Sequence, residues 1–267
     1  MKISLVTISF NQAAFLERAL RSVVEQDYHD KEYIVVDPGS TDGSREIIER
    51  YRSRIDKIIF EPDNGAAEGL NKGFAHTTGE VLGFLNSDDV LLPGALGSAA
   101  EYLDKHPDVD VVSGHSIIVD ADDNRIRASH SDRFSFLLYA YGEAVLMQAS
   151  TFFRRRAFEI SGGFNAGNRS NWDGELFLDM ALSGAKFALV NDFWSEYRVH
   201  QQSITGSRKL QAAYALHRKR MFEKIMHRQE RMMDRVTALL LRAVKHARNP
   251  RGLRERILHG PVSGRYQ

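Results

Sequence analysis

The chain has 267 residues, 43% of them hydrophobic and 27% charged, and it contains no cysteine. That content can bury a core for one large domain with an appendage, or for two small domains, and it excludes a disordered chain. It also excludes a disulfide framework and a thiolate metal site, as expected in a reducing compartment. The net charge of +1 hides an asymmetry, since residues 207–267 carry 16 Lys/Arg against 4 Asp/Glu while residues 1–206 carry 20 against 31. An acidic body is joined to a basic tail.

Met1 to Ile8 reads as a strand with no basic leader, so no signal peptide is expected and the protein is assigned to the cytoplasm. No apolar run approaches the ~20 residues that cross a bilayer. Ile3 to Phe10 is a β-rich run, and Gln12 to Gln26 spaces Phe15, Leu16, Ala19, Leu20, Val23 and Val24 as one helical face. A second strand, Glu32 to Asp37, leads into Pro38-Gly39-Ser40-Thr41-Asp42-Gly43 and a helix from Ser44 to Ser53. Lys57 to Glu61 is a third strand, followed by the loop Pro62 to Gly65 and a helix to about His76. Val81 to Leu85 and Val109 to Ser113 are the fourth and fifth strands. This alternation predicts an α/β fold with a mainly parallel sheet flanked by helices. Further on, Ala149 to Phe153 and Ala185 to Val190 read as strands, Gly174 to Ser183 as a helix and Tyr197 to Ser203 as a loop or lid. From about Lys209 to His246 helical periodicity takes over.

In parallel sheets ligands bind beyond the carboxyl ends of the strands. Asn11, Asp37, Asp63 with Asn64, and Asp88 with Asp89 fall at the ends of the first four strands in turn. Asp88 and Asp89 are adjacent carboxylates that repel one another unless a cation intervenes. Such oxygen ligands suit Mg²⁺ or Mn²⁺, ions that also take substrate phosphates, so the pattern points to a nucleotide-diphosphate substrate. The same Ser87-Asp88-Asp89 run is equally able to turn the chain or cap a helix.

Ordered motifs give these placements a family. They are Thr7-Ile8-Ser9-Phe10-Asn11, Val36-Asp37-Pro38-Gly39-Ser40-Thr41-Asp42-Gly43, Glu61-Pro62-Asp63-Asn64-Gly65, Asn71-Lys72-Gly73 and Gly83-Phe84-Leu85-Asn86-Ser87-Asp88-Asp89. Downstream follow Gly162-Gly163-Phe164, Trp172-Asp173-Gly174-Glu175-Leu176 and Tyr197-Arg198-Val199-His200-Gln201-Gln202-Ser203. Over roughly residues 1–205 the chain resembles the family 2 glycosyltransferases of the GT-A fold. The resemblance implies an inverting transfer from a nucleotide-diphosphate sugar to a glycan or lipid-linked glycan acceptor in cell-surface polysaccharide synthesis. It implies that Thr7, Ser9, Asn11 and Asp37 line the nucleotide pocket, that Asp63, Asn64 and Lys72 lie near the base or donor sugar, and that Asp88 stands beside Asp89 at the diphosphate. Asp89, with His200, would hold Mn²⁺ or Mg²⁺, and Asp173 would be the general base, with Glu175 its alternate; apart from the resemblance, Trp172 beside the base reads as a platform for the acceptor sugar or as core. Asp173 and Glu175 are also acids suited to a helix N-terminus.

The chain departs from the family in having Asp37-Pro38 where two acids are common, and Trp172-Asp173 where a Glu-Asp pair is common. It lacks a Gln-x-x-Arg-Trp motif, which argues against a processive synthase. Arg154-Arg155-Arg156 is either a solvated strand end or a contact for acceptor phosphate. The expected organisation is a catalytic domain over 1–206, with its nucleotide half to about 113 and its acceptor half from 114, then a basic helical extension over 207–267. The extension reads as an amphipathic surface for an anionic membrane at the inner leaflet, or as a hairpin that packs on the domain or mediates a homodimer. No nucleic-acid motif accompanies its charge. A catalytically silent nucleotide-sugar-binding scaffold is the alternative of a different class.

Overall fold

The computed structural model describes residues 1–203, 211–260 and 262. The first half is β1 (Ile3–Ile8), α1 (Ala13–Val24), β2 (Lys31–Val36), α2 (Ser44–Arg50), β3 (Lys57–Ile59), α3 (Ala66–Phe74) and β4 (Val81–Asn86). Its four strands pair in parallel in the order β3-β2-β1-β4. Such strands are buried on both faces, which is why they read as continuous apolar runs. In β1, Ile3 and Leu5 join Leu16 and Leu20 of α1 in one core, while Val6 joins Leu70 and Phe74 of α3 in the other. The glycine of Asn71-Lys72-Gly73 has a packing cause, since a Cβ at Gly73 would collide with Val6 and would crowd Val36.

The second half comprises β5 (Val90–Leu91), α4 (Ala95–Lys105), β6 (Val111–Val119), β7 (Arg125–Ser129), α5 (Phe136–Ala140), β8 (Thr151–Arg154), α6 (Arg155–Ser161), α7 (Trp172–Leu182) and β9 (Phe187–Arg198). The sheet continues β4-β8-β6-β9-β5, with β7 paired to β6. β8 is antiparallel to both β4 and β6, and β6 and β9 run parallel. The α/β reading with a mainly parallel, helix-flanked sheet therefore holds, with antiparallel strands confined to the second half.

Three elements differ from expectation. β6 runs to Val119 and β9 to Arg198, because their ladder continues past irregularities at Ser113/His115 and His115/Ser116 and carries polar residues along with it. Tyr197 and Arg198 therefore close a strand and do not belong to a loop. α7 begins at Trp172, which puts Trp172 and Asp173 in its first turn. Two of the three arginines are tied to main-chain carbonyls, and the third stays exposed beside an acid. Arg154 donates to the carbonyls of Val109 and Leu103, Arg155 to the carbonyl of Gly79 and the hydroxyl of Thr77, and Arg156 pairs with Asp110.

The tail forms α8 (Gln211–Met226), α9 (Asp234–Arg248) and α10 (Pro250–His259); the expected boundary at 206–207 lies outside the described residues. α8 buries Met221 and Phe222 against the domain, and the charge asymmetry is answered locally. Arg220 pairs with Glu175, Lys224 with Asp179, Arg242 with Glu143 and Lys245 with Asp132. Among the described residues no helix is long and apolar enough to cross a membrane.

Glu32 ties the entry edge of the sheet together. Its carboxylate accepts from the hydroxyl of Ser4 (2.5 Å), the N–H (2.7 Å) and hydroxyl (2.9 Å) of Thr78, and Lys2 Nζ (3.2 Å), while the Ser4 oxygen accepts from Gly79 N–H (2.8 Å). Burial alone would raise its pKa, but these donors overcome burial and hold it down at about 2. A depressed carboxylate pKa contributes stability that is present above the unfolded value and is lost as pH falls through the folded one. Glu32→Gln is expected to cost about 2 kcal/mol near neutral pH, with the gap to wild type closing from about pH 4.3 down toward 2. Urea unfolding across that range measures it.

Candidate active site

The polar residues sit where the topology predicts, in the loops beyond β1 to β4. Asp37 ends β2 with no exposed surface. Its Oδ1 accepts from the N–H groups of Gly39 (3.1 Å) and Ser40 (2.8 Å) and pairs with Arg45 Nε (3.2 Å), and its Oδ2 takes the Ser40 hydroxyl (2.6 Å). Ser40 Oγ in turn accepts from Asn11 N–H (2.8 Å), and Asn11 Oδ1 accepts from Thr41 N–H (2.9 Å). Asn11 adopts φ 52°, a left-handed conformation that Asn tolerates better than most residues. Asp37 and Asn11 thus lock the first two loops into one wall, and Asp37 offers no exposed oxygen to a base or ribose. Thr7 is also interior, accepting from the Tyr33 hydroxyl at 2.9 Å. Ser9 is buried with its Oγ unpartnered among the described residues, beside the exposed ring of Phe10.

The third loop closes on itself. Asp63 accepts from Gly65 N–H (2.9 Å) and rests over α3, where a Cβ at Gly69 would meet its Oδ2 at 2.7 Å. Burial raises the Asp63 pKa. Asn64 Nδ2 donates to Glu68 (2.9 Å), and Lys72 reaches the Pro62 carbonyl and the Glu68 carboxylate (3.4 Å). Lys72 is therefore held by its own loop.

The end of β4 gathers the densest charge. Asp89 is 1% exposed, its Oδ1 accepting from Arg198 N–H at 3.0 Å and its Oδ2 lying 3.5 Å from Asn86 Nδ2. Burial, with Asp88 alongside, pushes its pKa well above the usual carboxylate range. Asp88 faces outward to His200, whose Nε2 lies 3.2 Å from Asp88 Oδ2 and whose ring packs on Phe15 with centroids 4.6 Å apart. Arg198, 1% exposed, joins these pieces: its Nε donates to the Asp88 carbonyl (2.9 Å), and its Nη1 to the Asp120 carbonyl (2.8 Å) and Asp123 (2.5 Å). The pair that remains is the partly exposed Asp88 with the buried His200 (5% exposed). Asp89, expected to be the metal ligand, is turned inward by the β9 backbone.

Among the described residues no group of three or more His, Cys, Asp or Glu side chains forms a metal cage. One carboxylate and one imidazole suit an ion that completes its shell from substrate phosphates and water, as Mg²⁺ does.

α7 brings the acidic motif alongside β4, because the Trp172 indole packs on Phe84 with centroids 5.4 Å apart and on Phe164 at 5.7 Å. Trp172 is 6% exposed, so this ring is core and offers no platform to a sugar. Asp173 is partly exposed in the first turn, and burial raises its pKa against the opposing effect of the Gly174 N–H. Glu175 is caged, accepting from Asn168 (2.7 Å), Asn165 (3.1 Å) and Arg220 (3.0 Å). Its carboxylate fastens the 165–171 loop and α8 to α7, which removes it as a free base. Sequence reasoning missed Arg198 and Gln148; the latter donates to the Phe84 carbonyl (2.6 Å) and lies 3.3 Å from Asn86. Arg198 stood inside a recognised motif, whereas no signal marked Gln148.

The model of Glycosyl transferase family 2 matches residues 4–170. The chain belongs to this family and is a glycosyltransferase. It is 41% identical over 129 residues to an uncharacterized glycosyltransferase of Nostoc, a match covering 47% of this chain and 40% of that protein. It is 26% identical over 210 residues to a putative teichuronic acid biosynthesis glycosyltransferase of Bacillus subtilis, covering 77% of this chain and 82% of the relative. The fold is similar to that of a mannosyltransferase from Pyrobaculum calidifontis in complex with GDP-Man and Mn²⁺, with a TM-score of 0.66, 22% identity, and coverage of 97% of this chain and 73% of that one.

Arg198→Met is expected to destabilise this glycosyltransferase by about 3–5 kcal/mol, since it removes a buried guanidinium that bonds the carbonyls of Asp88 and Asp120 and the Asp123 carboxylate, and leaves the buried Asp89 without its nearby cation. Chemical denaturation measures the loss, and a cost below about 1 kcal/mol, the level of a surface pair, would show that Arg198 does not hold this corner.

Proposed function

We propose that the chain transfers a sugar from a nucleotide-diphosphate donor to a hydroxyl of a glycan or lipid-linked glycan, with inversion, in the synthesis of a cell-surface polysaccharide. The contact of the partly exposed Asp88 with the buried His200 at the carboxyl end of β4 carries the reading. These two side chains would hold a Mg²⁺ or Mn²⁺ ion, whose charge offsets the one that develops on the departing diphosphate. The Mn²⁺ and GDP-Man of the Pyrobaculum neighbour support the donor class, and the teichuronic acid assignment of the Bacillus relative supports the polymer class. The loop wall built on Asp37, Ser40 and Asn11 would bound the nucleoside, with backbone groups and the exposed ring of Phe10 facing it.

Asp173 is the base in this reading. The acceptor oxygen attacks the anomeric carbon as its proton passes to the Asp173 carboxylate, and the bond to the diphosphate oxygen breaks. A pKa raised by burial makes that carboxylate a better proton acceptor than a solvated one. Glu175 acts as a positioning residue, holding the first turn of α7 through Asn165, Asn168 and Arg220. In this reading the tail adds a membrane contact: Val236, Leu239, Leu240 and Val244 expose one apolar face of α9 with Arg235 on the same helix, a combination suited to an anionic bilayer.

Thermal unfolding with UDP, GDP, dTDP and CMP, each with and without Mn²⁺, tests the donor reading. One diphosphate is expected to raise the Tm only when metal is present, and Asp88→Asn to abolish that shift. Asp173→Asn is expected to keep the shift while lowering turnover at least ~100-fold. Undiminished turnover in that variant would remove Asp173 from the chemistry.

A further inference from the structure

Away from the strand ends, the elbow between α9 and α10 roofs a cleft of about 620 Å³ against the segment that follows β7. Asn249 builds the elbow. Its Oδ1 caps α10 by accepting Gly252 N–H (3.0 Å), and its Nδ2 donates to Asp132 Oδ1 (2.8 Å) and the His130 carbonyl (3.3 Å). This size lies within the usual range for small-molecule sites, about 300–1,000 Å³.

The lining is strongly cationic. Arg133, Lys245, Arg248 and Arg251 face the cleft against one carboxylate, Asp132. That carboxylate is already satisfied by Lys245 (3.2 Å), Asn249 and Val145 N–H (2.9 Å). Among the described residues, Arg133, Arg248 and Arg251 have no carboxylate partner, and Arg251 donates only to the Asn191 amide at 2.7 Å. Elsewhere in the tail Arg220, Lys224, Arg228 and Arg242 each pair with an acid. His130 also lines the cleft, and its Nδ1 is buried with no hydrogen-bond partner among the described residues. The first turn of α10, through Pro250 and Arg251, also lines the cleft and brings the positive end of the helix dipole. Phe134, Leu138 and Leu189 give the remaining wall an apolar character.

We propose that this cleft is a second binding site, separate from the strand-end loops, for a phosphate- or diphosphate-bearing ligand. The phosphate lies among Arg133, Arg248 and Arg251, whose planar guanidinium groups match phosphate oxygens in pairs. The apolar wall of Phe134, Leu138 and Leu189 accommodates a less polar substituent. The site needs no metal ion and does not depend on the reading of Asp88 and His200.

Calorimetric titration of the full-length protein with inorganic pyrophosphate in EDTA tests this. Saturable binding is expected, unchanged in Asp88→Asn and at least tenfold weaker in the double variant Arg248→Glu/Arg251→Glu. The control Arg254→Glu/Arg256→Glu makes the same charge change on α10 outside the cleft and is expected to bind as wild type. Retention of the nucleotide-dependent Tm shift, or of the wild-type circular dichroism spectrum if no nucleotide shifts the wild type, shows that the double variants are folded. Competition by phosphatidic acid vesicles but not by phosphatidylcholine vesicles would put the phosphate on a lipid headgroup; absence of competition would make it a soluble ligand. Failure of wild type to bind, or equal weakening by the two double variants, would overturn the site.

Discussion

A single buried cation holds the acidic end of the candidate site. Asp88, Asp89, Asp120 and Asp123 approach one another at the carboxyl ends of β4 and β6, and Arg198 reaches all four through backbone or side-chain atoms. Burial works against its charge, while Asp89 and Asp88 favour it. Breaking such a group leaves charges buried and unpaired, which costs more than the intact arrangement returns. Phe15 of α1 completes the arrangement, lying 5.1 Å from the guanidinium and 4.6 Å from the His200 ring. The position of Arg198 fixes where His200 follows it, and so fixes the contact of His200 with Asp88.

The same logic of charge compensation governs how the tail meets the body. The acidic body and the basic tail are oppositely charged, and α8 and α9 convert that balance into specific pairs. Arg220 finishes the cage around Glu175, so the tail stabilises the helix that carries Asp173. Arg228 and Tyr141 share Asp234, which seats the start of α9 over α5. Beyond those pairs, α9 and α10 keep arginines with no acid partner among the described residues and an exposed apolar face on α9.

Hydrogen bonding within the loops decides which polar residues remain available. Asp37 is spent on its own turn, and Lys72 on the third loop. Proline at position 38 removes one donor and leaves Gly39 and Ser40 to satisfy the carboxylate. A wall built in this way is rigid, which suits recognition by backbone groups and shape.

The strand and helix order of the first half was legible in the sequence because buried parallel strands and amphipathic crossovers each leave a periodic signature. The motifs also gave the family, since their order along the chain is more specific than any one of them. The second half was less legible. Polar residues such as Asn191, Asp192, Ser195 and Glu196 lie within β9, where the ladder with β6 and not side-chain pattern sets the strand. Tertiary structure alone decided which carboxylate faces outward and which faces in, that Trp172 is core, and that Glu175 is caged. The physical reason is distance along the chain. The partners that turn Asp89 inward and Asp88 outward lie 109 and 112 residues away, and Arg220 meets Glu175 across 45. A sequence fixes which residues are able to pair, and only packing decides which pairs form.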